Sequence, residues 1–137
     1  MPSERQTTGG SVGVRGVRLR PDPPDIVLLA PDRRTRAPLR AQLIEDGFDV
    51  IGTDTWRAMR AHLRPGAKPR LAIVDLQGLD HPQEVIDGLG VLMKPKRVLL
   101  IGALGSVPQV DLVRAGFHVV CRPVSIAEIV RAARGIH

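Results

Sequence analysis

Five short apolar runs limit what this chain can fold into more than any other feature. They cover residues 26–30, 48–52, 71–75, 97–101 and 118–121, and amphipathic stretches separate them. Runs this short, rich in Val, Ile and Leu, read as strands buried on both faces, which is the pattern of a parallel sheet. Strands that alternate with helical segments predict right-handed crossovers, with helices covering both faces. The expectation is one α/β domain over residues 25–137: a (βα)5, doubly wound, flavodoxin-like, five-stranded parallel sheet of strand order 2-1-3-4-5.

The intervening segments support this reading one by one. Residues 33–46 place Leu39 and Leu43 on one helical face with Ile44 at its edge, and Arg33, Arg34, Arg36 and Arg40 flank or oppose it. Pro38 conflicts with a helix interior, which leaves the first turn open, while Gly47 suits a C-terminal cap. Residues 55–64 predict a second helix facing inward through Ala58, Met59 and Leu63, stopped by Pro65 and Gly66. Pro82 suits the first position of a third helix through Met93, with Val85, Ile86, Leu89 and Leu92 as its apolar face. A short helix over 108–115 ends at Gly116. A last one follows Ser125, whose spacing to Glu128 matches a capping box.

Ahead of this domain, residues 1–24 are rich in Gly, Ser, Thr, Arg and Pro with no apolar period, and are expected to form a flexible tail. That stretch lacks the continuous apolar segment of a signal peptide, no run approaches membrane-spanning length, and the single cysteine excludes an internal disulfide framework. A cytoplasmic protein without membrane contact is the expectation. The net charge of +6 comes largely from arginine, with 17 Arg against 3 Lys. Such a balance can mark a nucleic-acid binder, but the arginines are spread along the chain and no aromatics interleave them, so a solvated surface is the plainer reading.

The run Leu71 to Asp75 ends on a carboxylate, at the carboxyl end of what should be a central strand. Open α/β sheets bind their ligands there. Together with the Glu45-Asp46-Gly47-Phe48 ending of the first helix, Ala115-Gly116 and Arg122-Pro123, this order and spacing resembles a response-regulator receiver (CheY-like) domain of two-component signalling. The resemblance implies phosphoryl transfer from a histidine kinase to Asp75. It also implies a Mg²⁺ ion held by an acid pair after the first strand, by Asp75 and by a backbone carbonyl at Gln77. Magnesium requires hard oxygen ligands.

Several positions depart from that pattern. The acid pair falls on Ala30 and Pro31, with Asp32 displaced by one residue; the hydroxyl that would bond the phosphoryl group falls on Gly102. The lysine falls on Arg122, and the aromatic switch on Val119. The resemblance is thus to a degenerate, or pseudo-, receiver. Asp75 either accepts a phosphoryl group with help from Arg122 and Gly102, or pairs permanently with Arg122 as a bidentate ion pair.

The leading expectation is a non-enzymatic signalling module that docks a protein partner, or a second copy of itself, through residues 103–134. Leu104, Val107, Leu112 and Ile126 are its candidate exposed anchors. The alternative is a phosphorylation-competent single-domain regulator binding Mg²⁺ through Asp32, Asp75 and Gln77. A third reading is a basic nucleic-acid-associated protein using the tail and first helix. Weaker features are a glycine-rich turn at 102–106 that could cradle an anion, and Cys121 at a strand end, expected to be a small buried hydrophobe. His62, His81, His118 and His137 lack metal-ligand spacing.

Overall fold

The computed structural model describes residues 22–103 and 109–136. Five strands form one parallel sheet: β1 (Ile26–Leu29), β2 (Val50–Thr53), β3 (Leu71–Asp75), β4 (Val98–Gly102) and β5 (His118–Cys121). Their spatial order is β2-β1-β3-β4-β5, the expected 2-1-3-4-5 arrangement. Helices α1 (Arg33–Glu45), α2 (Trp56–Arg60), α3 (Pro82–Leu92), α4 (Gln109–Arg114) and α5 (Ile126–Arg134) connect and follow them.

Alternation along each strand divides the core into two layers. Val27, Leu29, Ala72, Val74, Val98 and Leu100 face Met59 of α2, Val85, Ile86 and Leu89 of α3, and Leu112 of α4. On the other face Ile26, Leu28, Ile73, Leu99 and Ile101 meet Leu39 and Leu43 of α1 and Ile129, Val130 and Ala133 of α5. Strands β1, β3 and β4 are almost wholly buried, whereas β5 at the sheet edge is only partly so.

Several local expectations shift. The second strand runs over Val50–Thr53 rather than 48–52, and half-buried Phe48 packs against the α1 and α5 side of the core from outside it. Thr53 is buried because its Oγ1 donates to the Leu28 carbonyl at 2.8 Å, so a polar residue closes an apolar strand. Helix α2 is limited to Trp56–Arg60, yet Leu63 beyond it stays buried. Pro38 lies inside α1, on its exposed side. Its missing N–H costs one helical bond, while Leu39 and Leu43 keep the helix seated through packing.

The start of α5 is fixed by a full capping box. Ser125 Oγ accepts the Glu128 N–H at 3.1 Å and the Glu128 carboxylate accepts the Ser125 N–H at 2.8 Å. Those bonds hold the Glu128 carboxyl below its ordinary value. A carboxyl lowered on folding stabilises the fold above its unfolded-state pKa, and that contribution fades as pH falls through the folded value. Glu128→Ala is therefore expected to melt below the native protein at neutral pH. The gap should narrow on acidification below the ordinary carboxylate range, as followed by circular dichroism.

Candidate functional site

The carboxyl ends of β1, β3, β4 and β5 meet at one rim of the sheet, and Asp75 stands at its centre. Its side chain is 2% exposed. A carboxylate this deep requires partners that replace water, and two residues give it three hydrogen bonds. Arg122 Nη1 donates to Oδ1 at 2.6 Å and Nη2 donates to Oδ2 at 2.7 Å, a two-pronged guanidinium–carboxylate pair. The Gln77 backbone N–H adds a bond to Oδ1 at 3.0 Å.

The backbone brings Arg122 there. Parallel pairing sets Asp75 against Ile101 and Gly102 against Cys121, so the residue after β5 emerges one strand away from β3, across β4. The Arg122 N–H donates to the Gly102 carbonyl at 3.2 Å, which extends the ladder by one bond and anchors the arginine. Gly102 is thereby a backbone partner of Arg122. A Cβ at Gly102 would lie 3.3 Å from Cys121 Sγ, so a side chain there is crowded.

The end of β1 is built differently. Ala30 is buried and offers no side-chain oxygen, and Pro31 likewise brings only its ring and carbonyl. Arg36, one turn into α1, reaches back so that Nη1 donates to the Ala30 carbonyl at 2.8 Å and to the Pro31 carbonyl at 3.4 Å. Asp32 caps α1: its Oδ1 accepts the Arg34 N–H at 2.8 Å, and its carboxylate pairs with the Arg34 guanidinium at 3.0 Å. The side-chain bond from Arg34 leads in holding the Asp32 carboxyl below its usual value.

The structure thus joins Asp75, Arg122, Gly102 and the Gln77 backbone, while the Asp32 carboxylate is engaged with Arg34. The bond from Gln77 to Asp75 is made by its N–H. Arg36 is the residue missed by sequence reasoning; the available signal was an arginine in the first turn after a strand end lacking acids. Both Asp75 oxygens are shared with the Arg122 guanidinium, whose charge opposes a cation there, and the β1 end presents a second guanidinium where a cation would need carboxylates. The residues present do not fit that ion.

Other expectations are corrected. Leu112 is buried in the core rather than exposed, and Ile126 is half-buried against it. Val110 and Val113 are the exposed valines of α4, at 61% and 53%. Cys121 is exposed, because β5 is an edge strand. Leu104, Val107 and most of the 102–106 turn lie outside the described residues, as does His137; His81 and His118 are exposed and His62 is half-buried. Among the described residues no three His, Cys, Asp or Glu side chains form a metal-binding group, and no helix is long and apolar enough to cross a membrane.

No protein-family model matches the sequence, and no curated protein matches it. Solved structures do. A response regulator receiver protein from Sinorhizobium medicae WSM419 matches at 16% identity and TM-score 0.62, over 81% of this chain and 91% of that one. The signal receiver domain of a modulated diguanylate cyclase from Desulfovibrio desulfuricans G20 matches at 23% and 0.61, over 84% and 94%. The fold is that of a response-regulator receiver domain. An adenylate cyclase from Rhodopirellula baltica also matches, at 19% identity and TM-score 0.66, over 80% of this chain and 83% of that one.

The Asp75–Arg122 pair has a measurable signature. Arg122→Met leaves a buried carboxylate without its cation and should lower unfolding free energy by about 3–5 kcal/mol. Asp75→Leu combined with Arg122→Met removes both charges and should restore most of that loss. Urea denaturation of the two variants checks this; equal destabilisation of single and double variants would contradict it.

Proposed function

We propose that this chain is a non-enzymatic receiver-fold module of two-component signalling that acts by docking a protein partner and does not use phosphoryl transfer at Asp75. One observation carries the reading: both Asp75 oxygens are engaged by Arg122 at 2.6 and 2.7 Å. A carboxylate held in a charge-assisted pair is a weaker nucleophile, and its attack on phosphorus also requires that the phosphoryl charge be neutralised. Here the cation that would neutralise the phosphoryl group already neutralises the nucleophile. Ala30, Pro31 and Gly102, in the places of the acid pair and the hydroxyl, point the same way.

The docking face we favour is built from residues 103–134, around α4, β5 and α5. Val110 and Val113 on α4 and the partly exposed β5 edge support it, since exposed apolar side chains beside an open strand are what a partner would cover. The partner would be a histidine kinase, another signalling protein or a second copy of the chain, in the cytoplasm.

Incubation with acetyl phosphate and Mg²⁺, followed by intact-mass spectrometry, tests the absence of phosphoryl transfer. The expected spectrum shows unmodified protein. A mass increase of one phosphoryl group that disappears in Asp75→Asn would establish the alternative, a phosphorylation-competent regulator.

A further inference from the structure

A second charged surface lies at the sheet edge remote from β5, where α1 runs beside β2. The two elements enclose a groove of about 500 Å³. Arg33, Arg36 and Arg40 form one wall, one helical turn apart, and together span about 10 Å along α1. Asp49, Val50 and Gly52 form the other, so one carboxylate stands in a groove that holds three guanidinium groups. A Cβ on Gly52 would stand 3.1 Å from Arg40 Cδ and 3.7 Å from Arg36 Cδ, so the bare backbone there is what lets both arginine stems lie against the strand. Arg40 Nε donates to the Val50 carbonyl at 3.2 Å, and Arg36 is tied to Ala30. These bonds orient the two guanidinium groups and leave most of their five N–H donors for another acceptor. Arg33 is exposed and pairs with no other described residue.

This arrangement opposes the helix's own electrostatics. The first turn of α1 contains no acid. Arg33, Arg34 and Arg36 crowd the positive end of the helix dipole, where cations are unfavourable. The N-cap carboxylate of Asp32 offsets part of this through its pair with Arg34, and Arg33 and Arg36 are left on the groove side. The bond from Arg40 occupies the Val50 carbonyl, one acceptor that a further strand beside β2 would need. The groove offers Ala37, Ala41 and half-buried Ile51 in place of the aromatic anchors on which protein interfaces rely. What it offers well is guanidinium forks, which match phosphate oxygens.

We propose that the α1–β2 groove binds the phosphate backbone of a nucleic acid without reading its bases. The occupant is a long polyanion because the cations are spread over successive turns of α1 rather than gathered on one point. Lack of an exposed aromatic in the groove excludes base stacking as its means of recognition.

The test uses the full chain and a fluorescently labelled mixed-sequence DNA duplex, with binding followed by anisotropy from about 50 to about 200 mM salt. Binding is expected to weaken linearly in log–log form. Arg33→Glu and Arg33→Ala should lower the magnitude of that slope by about 1, as for loss of one phosphate contact. Arg57→Glu, an exposed reversal on α2 across the sheet, makes the same charge change as Arg33→Glu and should leave the slope intact. Circular dichroism verifies that each variant is folded. Absence of binding at the lowest salt overturns the proposal, as does equal weakening by Arg57→Glu. Displacement of the duplex by poly-glutamate as effectively as by unlabelled duplex at equal charge also overturns it, and would assign the groove to an acidic protein.

Discussion

A carboxylate that is 2% exposed must be neutralised, and the rim of this sheet is arranged around how that is done for Asp75. In a metal-dependent phosphoryl acceptor the neutralising charge is exchangeable, arriving and leaving with ions and substrates. Here it is covalently part of the chain. Arg122 is placed by β5, held by its N–H bond to Gly102, and followed directly by Pro123 and the capping box that starts α5. The pair therefore joins β3, the centre of the sheet, to β5, its edge, across β4. An element that a switch would need to move is tied down by two short charge-assisted bonds.

The same substitution of protein cation for exchangeable cation recurs at β1. Arg36 sits on the carbonyls of Ala30 and Pro31, where the receiver pattern would place carboxylates. Two guanidinium groups from separate elements thus approach the rim, one on a carboxylate and one on backbone oxygens. Arginine suits both tasks because its planar fork stays charged at any accessible pH and directs several donors at once. These replacements act together: acids at the β1 end would have little use without an open Asp75, and an open buried Asp75 would be costly without a cation.

The fold was legible because it rests on patterns that the chain itself carries. Buried runs such as 26–30 and 71–75, short and bounded by turn residues, read as central strands, and Leu39 with Leu43 at helical spacing seat a helix against them. Boundaries were less legible where tertiary contacts decide them. Thr53 joins β2 because the Leu28 carbonyl accepts its hydroxyl, a bond between residues far apart in sequence. Helix α1 keeps Pro38 because packing outweighs one lost hydrogen bond. At the site, Asp75 could be named from its place at a strand end and Arg122 from the receiver resemblance, but the contact made by Arg36 depends on a side chain folding back over six residues. Leu112 and Cys121 were misjudged for the same reason: which face of a short helix is inward, and which strand is an edge, are properties of the assembled sheet.

The most direct test of the claim that Arg122 permanently holds the place of metal and phosphoryl partner is an amide NMR spectrum with and without Mg²⁺ and beryllofluoride, using Asp75→Asn as control. The account predicts that the resonances of Asp75, Gly102 and Arg122 stay where they are when both are added. Shifts at these residues that vanish in Asp75→Asn would contradict it, and would show that the pair opens to admit a phosphoryl group.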